Sequence, residues 1–266
     1  MIAGNWAEIV FGFRLENMAD KEYTKSRFID LSRMAYEKGV YTFSDFLTLA
    51  ELSDLYECTG QLYGNFAVSG GYEGAERCMV RFGSEDMGYE IDFPISVVRI
   101  EPLQKKFAEQ LGHRDYLGSL MKLGIERGKL GDIVIRDDTA YVFVDETLAP
   151  LVCDELTRVR HTSVKTDIIT DIGQLPQPEL KEAVIQIKAE RIDAVVAKVF
   201  NLSRSQAAEL FAEKKVFCDG RLMENESHKL TENVIVSVRG CGRFIFCGIG
   251  GTSKKGNLYA TVKLYI

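Results

Sequence analysis

The octapeptide Asp171-Ile172-Gly173-Gln174-Leu175-Pro176-Gln177-Pro178 does most to limit what this 266-residue chain can fold into. Its two prolines fix φ and lack the N–H that a helix or a central strand requires. The stretch therefore reads as a linker, and each side must bury a core of its own. The charges divide at the same place. From Pro176 onward there are 14 Lys+Arg against 10 Asp+Glu, a balance of +4, whereas the first 175 residues hold 19 against 29, a balance of −10. The net charge of −6 thus conceals a cationic module behind an acidic one, an asymmetry that points to a polyanionic partner.

Hydrophobic spacing organises the rest. Residues 1–75 read as a helical region, with apolar stripes at Phe28, Leu31, Met34 and Ala35 and at Phe46, Leu47, Leu49, Leu52 and Leu55. The loop Ser69-Gly70-Gly71-Tyr72-Glu73-Gly74 closes it. Within 76–172, a strand at Ile95–Ile100 precedes a helix at His113–Leu123. A hairpin follows, Ile133–Ile135 and Tyr141–Val144 around Arg136-Asp137-Asp138-Thr139, then a helix near 147–158 and a strand near 162–169. This β-α-β-β-α-β order predicts a ferredoxin-like α/β domain.

Residues 180–266 form the third part. Ile192, Val195, Val196, Val199 and Phe200 mark one amphipathic helix, with Lys188, Arg191 and Lys198 on another of its faces. Ser203 with Gln206 makes the capping box of a second helix, whose Ala207, Leu210 and Phe211 face inward. Arg204 in its first turn opposes the helix dipole. A phosphate there would meet free N–H groups, two hydroxyls and a guanidinium together. Asp219-Gly220 is a hairpin turn, and strands at Val234–Val238, Phe244–Cys247 and Leu258–Leu264 complete a small sheet. The chain is thus read as α+β throughout.

Several chemistries are excluded. Six scattered cysteines without C-x-x-C spacing and three distant histidines predict no metal site. His113-Arg114-Asp115 lacks the asparagine of a kinase catalytic loop. Gly248–Lys255 lacks the register of a phosphate-binding P-loop. No catalytic residue and no cofactor is expected. No apolar run reaches the roughly 18 residues of a membrane span, and Met1–Met18 lacks the features of a signal peptide. A reduced, cytoplasmic protein is expected.

Arg191-Ile192-Asp193, Ser203-Arg204-Ser205, Lys214-Lys215-Val216, Asp219-Gly220 and Val236-Ser237-Val238-Arg239-Gly240 resemble the S4 RNA-binding domain. It departs from that pattern at Lys214, where glycine commonly ends the helix. Gly70–Arg77, His113–Gly118 and Gly124–Ile133 resemble, in this order, the YlmH family, whose members carry a C-terminal S4 domain. The resemblance implies a cytosolic bacterial RNA-binding protein with a link to cell division. It implies binding to rRNA and tRNA on the large ribosomal subunit, in rescue of stalled nascent chains. The expected phosphate contacts are Arg191, Ser203, Arg204, Ser205, Lys214 and Lys215, with Lys198, Gln206, Arg239, Arg243, Lys254 and Lys255 extending the patch. The Gly70–Arg77 loop reads first as a tight connection whose Glu73 and Glu76 would repel phosphate, and Arg77 is its one candidate contact. A monomer without enzymatic activity is expected. An RNA-modifying enzyme, or an interaction scaffold for cell division, stays open as the alternative.

Overall fold

The computed structural model describes residues 5–83, 88–170, 175, 179–253 and 256–265, with side chains from residue 21 onward, Phe107 excepted. Backbone contacts separate the chain into two units, 1–175 and 176–266. The expected linker lies outside the described residues apart from Leu175, which is buried with Phe46, Met79, Val97 and Phe143. Among the described residues no helix is long and apolar enough to cross a membrane.

The first unit begins with a long helix, α1 (Asn5–Lys38), followed by β1 (Thr42–Phe43), α2 (Leu49–Glu57), β2 (Phe66–Ser69) and β3 (Met79–Phe82). Thr48 caps α2 in a capping box with Glu51, the arrangement that satisfies a helix's first free N–H groups. Phe28 and Ala35 of α1 are buried against Leu52 and Leu55 of α2 and Val80 and Phe82 of β3. Met34, placed on the same stripe by spacing alone, is instead 40% exposed. The region expected to be helical also holds an antiparallel sheet of order β1-β3-β2. Strands of two to four residues are too short to show an alternating pattern. Because β2 and β3 pair, the border expected at residue 75 runs through this sheet.

Next come β4 (Ile95–Pro102), α3 (His113–Lys122), β5 (Leu130–Arg136), β6 (Thr139–Asp145), α4 (Ala149–Glu155), β7 (Arg158–Val159) and β8 (Thr162–Ile169). The sheet order is β5-β6-β4-β8-β7 with every neighbour antiparallel. Its four main strands therefore take the split β-α-β-β-α-β arrangement that the sequence predicts. Tyr116 and Leu120 of α3 and Val152 of α4 cover one face over Val98, Ile100 and Val142.

The second unit contains β9 (Leu180–Ile187), α5 (Ile192–Val199), α6 (Arg204–Ala212), β10 (Val216–Cys218), β11 (Arg221–Leu222), β12 (Val234–Val238), β13 (Gly242–Thr252) and β14 (Leu258–Tyr265). Its antiparallel sheet runs β11-β10-β12-β13-β14-β9. Ile192, Val195, Val196 and Phe211 of the two helices pack on Val236, Phe244, Phe246 and Val262. The Asp219-Gly220 turn has φ of +46° and +76°, the two left-handed positions of a tight hairpin.

Candidate nucleic-acid interface

The N-terminus of α6 is built as its residues dictate. Ser203 Oγ accepts the Gln206 N–H at 3.3 Å, and Gln206 Oε1 accepts the Ser203 N–H at 2.9 Å. Ser203 Oγ also lies 3.0 Å from Ser205 Oγ. Ser203 and Gln206 thus hold the helix end and each other. Arg204 and Ser205 are exposed in the first turn beside them.

An open groove of about 760 Å³ lies before that turn. Lys188 after β9, Arg191 at the start of α5, Lys198 on α5, and Arg204 and Ser205 of α6 all line it. Ala194, Ala197 and Ala208 also line it, so a ligand can approach the helix backbones closely. Asp193 and Glu226 are its carboxylates. Asp193 holds Arg191 through two hydrogen bonds, Nε to Oδ1 at 3.0 Å and Nη2 to Oδ2 at 2.8 Å. Among the described residues Lys188, Lys198 and Arg204 have no ion-pair partner. Arg191 is the N-cap residue of α5 rather than a member of its exposed face, because β9 runs to Ile187 where the helix was expected to extend. Lys188 contributes fully to the groove although it stood outside the expected contact set.

The other expected cations gather at the opposite end of α6, about 12 Å away at 1.5 Å per residue. Lys214 has φ +56°. Its N–H donates to the Phe211 carbonyl (3.0 Å) and the Lys215 N–H donates to the Leu210 carbonyl (2.9 Å). These two bonds form a Schellman ending, whose left-handed residue is usually glycine. Lys214 pairs with Glu224 at 3.2 Å and Lys215 with Glu213 at 2.5 Å. Glu213 raises the Lys215 pKa through a hydrogen bond and its charge. The Arg239 N–H donates to the Lys215 carbonyl at 2.9 Å, and its guanidinium lies 5.1 Å from the Phe217 ring centre. Arg243 sits 4.4 Å from the ring centre of Tyr265. The single expected patch is thus two clusters, one in a groove and one on a strand end. Lys254 and Lys255 lie outside the described residues.

Residues 89–171 match a family model described as "Putative RNA-binding domain in YlmH". A protein of Bacillus subtilis (strain 168), "Ribosome-associated protein quality control protein P2", is 29% identical over 230 residues, covering 85% of this chain and 88% of that one. Residues 89–171 are thus similar to the RNA-binding domain of the YlmH family, and most of the chain is similar to this relative. A solved structure, "Cell division protein ylmH from Streptococcus pneumoniae", covers 59% of this chain and 95% of its own at 20% identity, with a TM-score of 0.47.

Two of the segments that carry the resemblance to the YlmH family meet in space. Asp132 accepts the Tyr72 hydroxyl (2.8 Å) and the N–H groups of Glu76 (2.7 Å) and Arg77 (3.2 Å). Tyr72 stacks on Phe143 with ring centres 4.7 Å apart. Gly71, at φ +90°, lies against the same ring, where a Cβ would come within 2.8 Å of it. Arg77, the one candidate contact of a loop read first as a tight connection, is half-buried and tied inward. Its guanidinium donates to the carbonyls of Phe46 (2.7 Å), Leu130 (2.9 Å) and Arg127 (3.2 Å). Those acceptors lie 31 to 53 residues away along the chain, so no local pattern announces them. Among the described residues no group of three or more His, Cys, Asp or Glu is placed to hold a metal ion.

Proposed function

We propose that this protein binds structured rRNA and tRNA on the large ribosomal subunit during rescue of stalled nascent chains, as a cytoplasmic monomer without catalytic activity. The observation that carries this reading is the groove before α6, where Lys188, Arg191, Lys198, Arg204 and Ser205 converge on a helix N-terminus. Exposed cations, two open first-turn N–H groups and small neighbouring residues suit a phosphodiester backbone. Guanidinium and ammonium groups at this spacing recognise RNA by shape and charge, with little base reading. The Bacillus subtilis relative named for ribosome-associated quality control supports the ribosomal setting, and the family model supports RNA as the ligand. The resemblance of the second unit to the S4 domain supports it further.

Crosslinking in cells followed by sequencing of bound RNA tests the proposal. Enrichment of rRNA and tRNA is expected, and their absence overturns it. In vitro, about five engaged cations predict a slope of log affinity against log salt near −4. Affinity independent of salt would contradict the groove as a phosphate site.

A further inference from the structure

The α/β domain carries the RNA-binding family match, yet its residues 89–171 hold 11 Lys+Arg against 15 Asp+Glu. A domain with that balance can attract a polyanion only where its cations are gathered apart from most of its carboxylates. At one end of the sheet they are. The connection after β4 is fastened to the start of β8, with the Leu103 N–H donating to the Ser163 carbonyl (3.0 Å) and the Glu109 N–H donating to the Thr162 hydroxyl (3.2 Å). Arg160, in the β7–β8 turn, reaches Asp115 in the first turn of α3 (3.5 Å) and Glu109 (3.7 Å). Three segments therefore converge, and Lys105, Lys106, Arg114, Arg158, Arg160 and His161 are all exposed on them. Glu109 and Asp115 are the carboxylates that Arg160 holds, and Asp115 also accepts the Gly112 N–H at 2.9 Å.

The backbone of Arg160 supplies a second, independent observation. Arg158 faces Ser163 and Val159 faces Thr162, so Arg160-His161 is a two-residue hairpin loop whose first residue has φ +51°. Two other hairpins in the molecule close the same way, and there the first position is Asp137 (φ +51°) or Asp219 (φ +46°). Short polar residues and glycine are the usual occupants of such positions. Among the described two-residue hairpins, only this turn places a long cation in the strained position, within the exposed cationic cluster.

We propose that this end of the α/β domain is a second surface for the RNA phosphodiester backbone, with Arg160 as its central phosphate contact. The proposal rests on the reading that the protein binds RNA, and adds where the first unit takes part. Three guanidiniums flanked by ammonium groups offer both forked and point-charge recognition of successive phosphates.

The experiment uses the full-length protein with labelled bulk tRNA and with fragmented ribosomal RNA as probes, titrated at several salt concentrations. Arg160→Gly is expected to weaken binding to at least one probe about threefold to tenfold and to flatten the salt slope by roughly 1. The melting temperature should hold or rise, because glycine relieves the left-handed backbone. Arg160→Lys is expected to restore most of the affinity, and Arg158→Ala to weaken binding without unfolding. A fall in affinity that accompanies a fall in melting temperature overturns the proposal, since Arg160 then serves to hold Glu109 and Asp115. If Arg160→Gly and Arg158→Ala bind both probes like wild type while Lys198→Ala/Arg204→Ala binds weakly, this surface is refuted and the groove stands. If no variant changes affinity or slope, the RNA-binding reading falls with it.

Discussion

Arg77 and Arg204 are the same side chain in two different settings. In the first unit, Arg77 completes the hydrogen bonding of three carbonyl groups on two separate segments, Phe46 and Arg127–Leu130. Its neighbour Arg127 donates to Leu130 at 2.6 Å and to Gly131 at 3.3 Å. Burial, and then the charge of Arg77, push the Arg127 pKa down to about 10, which still leaves it cationic at neutral pH. In the second unit, Arg204 is exposed beside a groove and has no ion-pair partner among the described residues. The difference teaches that cation counts cannot separate arginines spent on the fold from those left exposed to a ligand. What separates them is whether the fold has already supplied acceptors. Buried carbonyls demand donors from somewhere, and a guanidinium with five of them is a compact way to satisfy several loops at once.

The sharpest way to break this comparison is Arg77→Met, which keeps the apolar stem and removes every donor. Hydrogen bonds from charged groups contribute about 1.5–3 kcal/mol each when their loss leaves a buried partner unpaired. With partial compensation by water, the substitution should lower unfolding free energy by about 3 kcal/mol. Urea denaturation measures it, and RNA affinity of the protein still folded should not change. Loss of affinity at unchanged stability would place Arg77 with Arg204 after all. Next in size is Asp132→Asn. An amide presents one oxygen where the carboxylate accepts three donors, so about 2 kcal/mol of stability should be lost. The Gly70–Arg77 loop should then open first in hydrogen exchange.

Much of this contrast lies beyond what local sequence can reveal, for identifiable reasons. The Ser203–Gln206 capping box, the Asp219-Gly220 turn and the β-α-β-β-α-β order are legible because each depends on residues within a few positions of one another. The β1-β3-β2 sheet is not, because its strands are too short to carry a period. Strand β9 escaped for another reason. Its edge position leaves Leu180 at 42% and Val184 at 63% exposure, which blurs the inward and outward alternation. The division of the cations into groove and strand end is also invisible in sequence. Lys188 joins Arg204 through the end of β9, while Arg239 joins Lys215 through the pairing of β10 with β12.

On the exposed side of the comparison, Arg204→Ala removes a solvent-facing guanidinium with no ion-pair partner among the described residues. Stability should stay within about 0.5 kcal/mol of wild type. RNA affinity should fall about tenfold, equivalent to about 1.4 kcal/mol, with the salt slope flatter by roughly one phosphate contact. Calorimetric melting and a salt titration together read both quantities. An Arg204→Ala protein that melts early but binds normally would reverse the assignment.

The smallest expected effect distinguishes structure from function within a single helix ending. Helix α5 closes at Asn201 with φ +54° and a Leu202 N–H to Ala197 carbonyl bond of 2.8 Å. Helix α6 closes the same way at Lys214 with φ +56°. Asparagine tolerates this conformation, whereas a lysine there costs roughly 1 kcal/mol relative to glycine. The pair Lys214–Glu224 is exposed on both sides and recovers only a few tenths of a kcal/mol. Lys214→Gly should therefore stabilise the protein by about 0.5–1 kcal/mol, and Asn201→Gly by less. If Lys214 holds its position for the sake of a phosphate, the stabilised variant should bind RNA about threefold more weakly. Stabilisation with undiminished affinity would make Lys214 a strained bystander and confine RNA contact in the second unit to the groove.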